Sequence, residues 1–175
     1  MRRPVDADRV RKFMKALGAE ARTEARVYLV GGATAVLVGW RGSTIDIDMK
    51  LVPEDDRILR AIPRLKEELE VNVELASPDA FIPEVPGWEA RSPFVTREGR
   101  ISFHHYDLYS QALAKLERSH QKDIEDVRAM RDAGLIEAKR LLQYFAEIEP
   151  SLYRFPAIDP KAFRRSVEAF SESKT

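Results

Sequence analysis

Cysteine is absent from this chain of 175 residues, so it can form no disulfide and offer no thiolate to a metal, which suits a reducing cytosol. Net charge is absent too. The 29 basic and 29 acidic residues cancel, leaving no bulk field to draw the protein onto nucleic acid or membrane. A polynucleotide would have to be held by a local patch, and two are present: Arg2-Arg3 with Arg9, Arg11, Lys12 and Lys15, and Arg164-Arg165. No segment approaches the roughly eighteen apolar residues of a membrane span. The opening MRRPVDADRV is charged and has no apolar signal core, so the expected location is cytoplasmic. Repeats and low-complexity tracts are missing. What remains, 44% apolar and 33% charged residues, is globular in character, and the length suits one domain over 1–175.

The stretch VYLVGGATAVLVGWRGSTIDIDMKL, residues 27–51, carries the most chemistry. An apolar run ends in Gly31-Gly32, a short helix-like segment follows, and Asp46 and Asp48 then stand two apart between isoleucines. Alternate residues of a strand share a face, so the two carboxylates project together while Ile45, Ile47 and Met49 turn toward a core. Paired carboxylates repel unless a cation lies between them, and Mg²⁺ is held by one or two carboxylates together with substrate phosphates. The glycines let a ligand approach the backbone, and the helix opening at Ala33-Thr34 offers N–H groups to a phosphate. A phosphate cradle beside a carboxylate pair is the minimum equipment for a nucleoside triphosphate.

Gly31-Gly32, thirteen residues, then Asp46-Ile47-Asp48 resembles the signature of the DNA polymerase β-like nucleotidyltransferase superfamily. The run Arg41-Gly42-Ser43-Thr44-Ile45-Asp46-Ile47-Asp48 is most similar to its minimal bacterial branch, the abortive-infection (AbiEii-type) toxin nucleotidyltransferases. Leu113 to Arg118 and Lys122 to Val127 are similar to the K-x-x-R and D-x-x-D helical motifs of that group, so the resemblance covers about residues 25–145. It implies nucleotide contacts from Gly31, Gly32, Thr34, Arg41, Thr44, Lys115, Arg118, Asp123 and Asp126. It also implies Mg²⁺ or Mn²⁺ on Asp46 and Asp48, with a third carboxylate from a neighbouring strand. Glu74, late in the run Val71 to Leu75, is the expected third ligand, and Asp107 is the rival.

The expected class is α/β (α+β): a mixed sheet of about five strands with flanking helices. A core spans about 25–107 and a helical part about 108–175. Asp6 or Asp8 caps a helix to Gly18; strands are expected at 27–30, 45–51 and 71–75, with a hairpin of 94–96 and 100–105. Helices are expected at 33–39, at 54–69 with Pro63 kinking or restarting it, at 109–132, 137–148 and 160–170. Helical angles place Lys115, Arg118, Lys122 and Asp126 opposite the apolar stripe, and His120 on it, unless Ser119-His120 divides the segment. Residues 76–92 read as a Pro-rich loop in which Trp88 is a lid or core anchor. His104 and His105, adjacent on a strand, face opposite ways and chelate poorly together.

The resemblance implies a Mg²⁺-dependent enzyme that moves a nucleoside monophosphate from an NTP to an acceptor hydroxyl. The acceptor would be a tRNA 3′ end or a target protein, with a cognate antitoxin as a further partner. A small-molecule (antibiotic) acceptor and a non-catalytic, antitoxin-like binding role are the alternatives.

Overall fold

The computed structural model describes residues 3–173, so Arg2 of the N-terminal basic patch lies outside the described residues. It divides into two compact units, 1–77 with 92–106, and 78–91 with 107–175.

The first unit is a five-stranded mixed sheet. Its strands are β1 (Ala25–Val30), β2 (Asp46–Val52), β3 (Asn72–Leu75), β4 (Phe94–Glu98) and β5 (Ile101–His105), in the order β3-β2-β1-β5-β4. β1 runs antiparallel to β2 and parallel to β5; β2 and β3 are parallel, joined by a helical crossover. Helices α1 (Ala7–Gly18), α2 (Gly32–Val38) and α3 (Asp56–Glu68) belong to this unit. Val10, Phe13 and Leu17 of α1, and Ile58, Ile62 and Leu65 of α3, join Val27, Leu29, Ile47, Met49 and Phe103 in one buried cluster. Alternation therefore sends Asp46, Asp48 and Lys50 of β2, and Asn72 and Glu74 of β3, to the other face.

Local chemistry explains the boundaries. Asp6 caps α1, accepting from Arg9 N at 2.9 Å, and Asp55 caps α3. Three expectations need correction. Ile45 is 69% exposed, because β2 starts one residue later and its core-facing residues are Ile47, Met49 and Leu51. Pro63 does not restart α3, which runs unbroken from Asp56 to Glu68: it is on the exposed side, while Ile58, Ile62 and Leu65 bind the helix to the core on both sides of it. His120 is exposed as the N-cap of a new helix, because Ser119 adopts φ 55° and ends the previous one.

The second unit is helical, with α4 (Leu108–Arg118), α5 (Gln121–Asp132), α6 (Ala138–Ile148) and α7 (Pro160–Glu172). α4 packs on α5, α6 and α7, and α6 meets α7 through Phe145 and Phe163, whose rings lie 4.9 Å apart. Trp88 is buried, as an anchor of the 78–91 segment. No helix among the described residues is long and apolar enough to cross a membrane.

Candidate active site

The turn between β1 and α2 brings the glycines against the carboxylate strand. Val30 pairs with Asp48 across the antiparallel ladder, so the next residue, Gly31, lies over the Asp48 side chain. A Cβ on Gly31 would stand 3.4 Å from Asp48 Oδ2. Gly31 has φ 61° and ψ −123°, a conformation that favours glycine. Gly32 is tighter still: a Cβ there would fall 1.9 Å from Thr44 Oγ1. Thr44 is pinned, its N–H and C=O both bonded to Val5 and its hydroxyl donating to Asp46 O at 3.1 Å. Arg41 N donates to Ala35 O at 3.4 Å near the end of α2.

Thr34 is fully buried, and its hydroxyl serves the scaffold. It donates to Leu29 O at 3.1 Å, leaving its oxygen to accept from His105 Nδ1 at 3.0 Å. That arrangement assigns the proton of neutral His105 to Nδ1. Nothing in the order of residues pointed to this link; only the parallel pairing of Leu29 with His105 creates it. Burial, with His104 beside it, pushes the His105 pKa down to about 4 from 6.5. A folded pKa below the unfolded one means that the associated stability is complete above pH 6.5 and declines as pH falls through about 4. We expect His105 to account for a loss of about 3 kcal/mol across that window. Urea unfolding of wild type and His105→Asn at several pH values checks this, and parallel slopes would clear His105 of the effect. His104 Nδ1 lies 3.1 Å from Ser92 O.

Asp46 and Asp48 share one face, and β3 delivers Asn72 opposite Asp46 and Glu74 opposite Asp48. Asn72, which the sequence reading passed over, donates from Nδ2 to Asp46 Oδ1 at 2.5 Å and to Glu74 Oε1 at 3.3 Å. Asp48 has contacts of its own, yet its Oδ1 is buried and accepts no hydrogen bond among the described residues. No group of three or more His, Asp or Glu side chains suited to a metal gathers among the described residues. Two hard carboxylates beside a glycine turn nevertheless fit a Mg²⁺ that takes its remaining ligands from phosphates and water.

Asp107, the rival third carboxylate, belongs to the helical unit and is 1% exposed. It caps α4, accepting from Tyr109 N, Ser110 N and Ser110 Oγ, and it pairs with the Arg91 fork at 3.2 and 2.9 Å. Those donors account for its burial.

The helical motif residues are also gathered, in the second unit. Lys115 Nζ lies 2.9 Å from Asp126 Oδ2 and 3.8 Å from Asp123 Oδ1; Arg118 grips Asp123 at 2.6 and 3.3 Å. Lys115, Asp123 and Asp126 are buried, so the expected polar face of one continuous helix becomes an internal ion network between two helices. Arg118 stays half-exposed at the rim.

A family model described as "Nucleotidyltransferase of unknown function (DUF6036)" matches residues 8–173. The chain belongs to this family. No curated protein and no solved structure matches it. Membership in a nucleotidyltransferase family agrees with the Gly-Gly and D-x-D elements on β1, α2 and β2, and the five-stranded mixed sheet is consistent with that fold.

Proposed function

We propose that this nucleotidyltransferase is a Mg²⁺-dependent enzyme that transfers a nucleoside monophosphate to the hydroxyl of a tRNA 3′ end or of a protein, as a toxin of a toxin–antitoxin pair. One observation carries the catalytic part: Asp46 and Asp48 lie on one sheet face with the Gly31 turn against Asp48. Bound there, Mg²⁺ supplies neutralisation of phosphoryl charge and lowers the pKa of the attacking hydroxyl. The chain's own part is placement. Gly31 and Gly32 admit the triphosphate close to the backbone, Thr44 supports the turn from the β2 side, Arg41 is a nucleotide contact that the resemblance implies, and Asp46 and Asp48 hold the ion. The acceptor hydroxyl gives up its proton to solvent as its oxygen forms a bond to the α-phosphorus, the bond from that phosphorus to the α–β bridging oxygen breaks, and pyrophosphate leaves. The toxin role and the acceptor rest on the resemblance of Arg41 to Asp48 to the abortive-infection branch.

Asp46→Ala should lose metal-dependent NTP binding and transfer without losing the fold, since removing one of two repelling carboxylates relieves their repulsion in the metal-free protein. Thermal shifts of wild type and variant with ATP, GTP, CTP or UTP, each with and without Mg²⁺, test this. Equal shifts in both proteins would sink the metal role. Labelled NTPs offered with separate pools of tRNA, total protein and aminoglycosides then identify the acceptor; label in none, with no NTP binding, favours the non-catalytic alternative.

A further inference from the structure

We propose that Asn72 is a positioning residue of this metal site. Its amide fixes the Asp46 carboxylate and holds Glu74 in a layer behind it, so that Asp46 and Asp48 meet the ion and Glu74 acts through Asn72. The inference rests on the metal-dependent reading above.

The parallel pairing of β2 and β3 sets the geometry. Asp46 faces Asn72 and Asp48 faces Glu74 in the ladder, so the amide lies between a carboxylate of its own strand and one of the neighbouring strand. An amide nitrogen carries two hydrogens, and here each has an acceptor: Asp46 Oδ1 at 2.5 Å and Glu74 Oε1 at 3.3 Å. The flipped amide would set its carbonyl oxygen against the Asp46 carboxylate, two acceptors at hydrogen-bond distance, so chemistry fixes the orientation. Among common side chains of this length, only asparagine offers two donors from one atom.

Two consequences follow for a cation. Asp46 keeps its second oxygen for the ion while the first is restrained, which lowers the ordering cost of binding. Glu74 is directed at Asn72, and Asp46, Asp48 and Glu74 do not form a gathered metal group. Partners of this second layer orient metal ligands, and their loss weakens metal affinity by about 10- to 100-fold.

Mn²⁺ alone is the probe, titrated into the full chain and followed by the electron paramagnetic resonance of the free ion. Melting in a chelator is measured alongside. Wild type should bind, and Asp48→Asn should lose binding. Asn72→Ala should weaken Mn²⁺ binding about tenfold or more with metal-free melting unchanged. Asn72→Ser, which keeps one donor, should fall between wild type and Asn72→Ala, and it replaces that variant if the alanine protein melts early. Glu74→Gln retains an acceptor for Asn72 and should lose far less affinity than Asp48→Asn. Asn72 variants that bind like wild type, while Asp48→Asn fails, overturn this inference alone. Glu74→Gln as damaged as Asp48→Asn also overturns it, by making Glu74 a direct ligand. Wild type and Asp48→Asn binding Mn²⁺ alike would remove the metal reading and this inference with it.

Discussion

Lys115→Ala should destabilise the protein by about 3–5 kcal/mol, because it strips the ammonium from a carboxylate that stays buried. Asp126 has a side chain 4% exposed and lies 2.9 Å from Lys115 Nζ. Asp123 retains Arg118, whose guanidinium is bonded to that carboxylate. The lost Coulomb attraction is the smaller part of the effect; the larger part is the desolvation of Asp126, which the lysine no longer offsets. Lys115→Met/Asp126→Leu, which replaces both charges by apolar groups of similar volume, should recover most of the loss. Urea unfolding of wild type, single variant and double variant measures the coupling directly. The folded double variant also separates the two roles of Lys115. NTP affinity equal to wild type assigns the lysine to the α4–α5 interface, and a loss of affinity restores the phosphate contact that the family resemblance implies. Wild-type stability in Lys115→Ala would show that the network contributes little.

That ion network marks where the sequence stopped being legible. Motifs within one strand or one turn could be read because their geometry is local. Period-two alternation places Asp46 and Asp48 together whatever surrounds them, and the glycine pair announces a close turn. Helical angles are equally local, yet they propagate only while the helix does. Once Ser119 takes a left-handed conformation, the direction of Asp123 and Asp126 relative to Lys115 is set by packing of α4 on α5. Lys115, Arg118 and Asp126, which those angles set on one polar face, then close with Asp123 into a network. Asn72 and His105 were invisible for a related reason. Each acts on a residue more than twenty positions away, and only the pairing of β2 with β3 and of β1 with β5 sets those partners in reach. Ile45 shows the same limit at smaller scale, since alternation says which residues share a face but not where the strand begins. Asp107 looked like a candidate ligand after a strand; its neighbours Tyr109 and Ser110, and the distant Arg91, make it a helix cap.

Gly32→Ala should abolish nucleotide binding and cost about 1–3 kcal/mol of stability, from the addition of one carbon. The new Cβ would lie 1.9 Å from Thr44 Oγ1 and 2.6 Å from Thr44 Cβ, so no rotation of the threonine relieves both contacts. Backbone movement is the remaining escape. Thr44 cannot retreat without breaking its two bonds to Val5, at 2.7 and 2.9 Å, and its hydroxyl bond to the Asp46 carbonyl. Any retreat therefore drags the start of β2, and with it the Asp46 carboxylate. Movement of the glycine turn instead displaces Gly31 from Asp48. Both routes disturb the turn and carboxylate pair on which the proposed chemistry depends, which is why binding should suffer more than folding. Thr44→Gly removes all three atoms that the new Cβ would meet, so Gly32→Ala/Thr44→Gly should be more stable than the sum of its single variants predicts. Thermal melting and Mg²⁺–ATP titration of the four proteins measure both effects. Additive stabilities would show that the two residues do not contend for the same space, and undiminished ATP binding in Gly32→Ala would remove the turn from the nucleotide site.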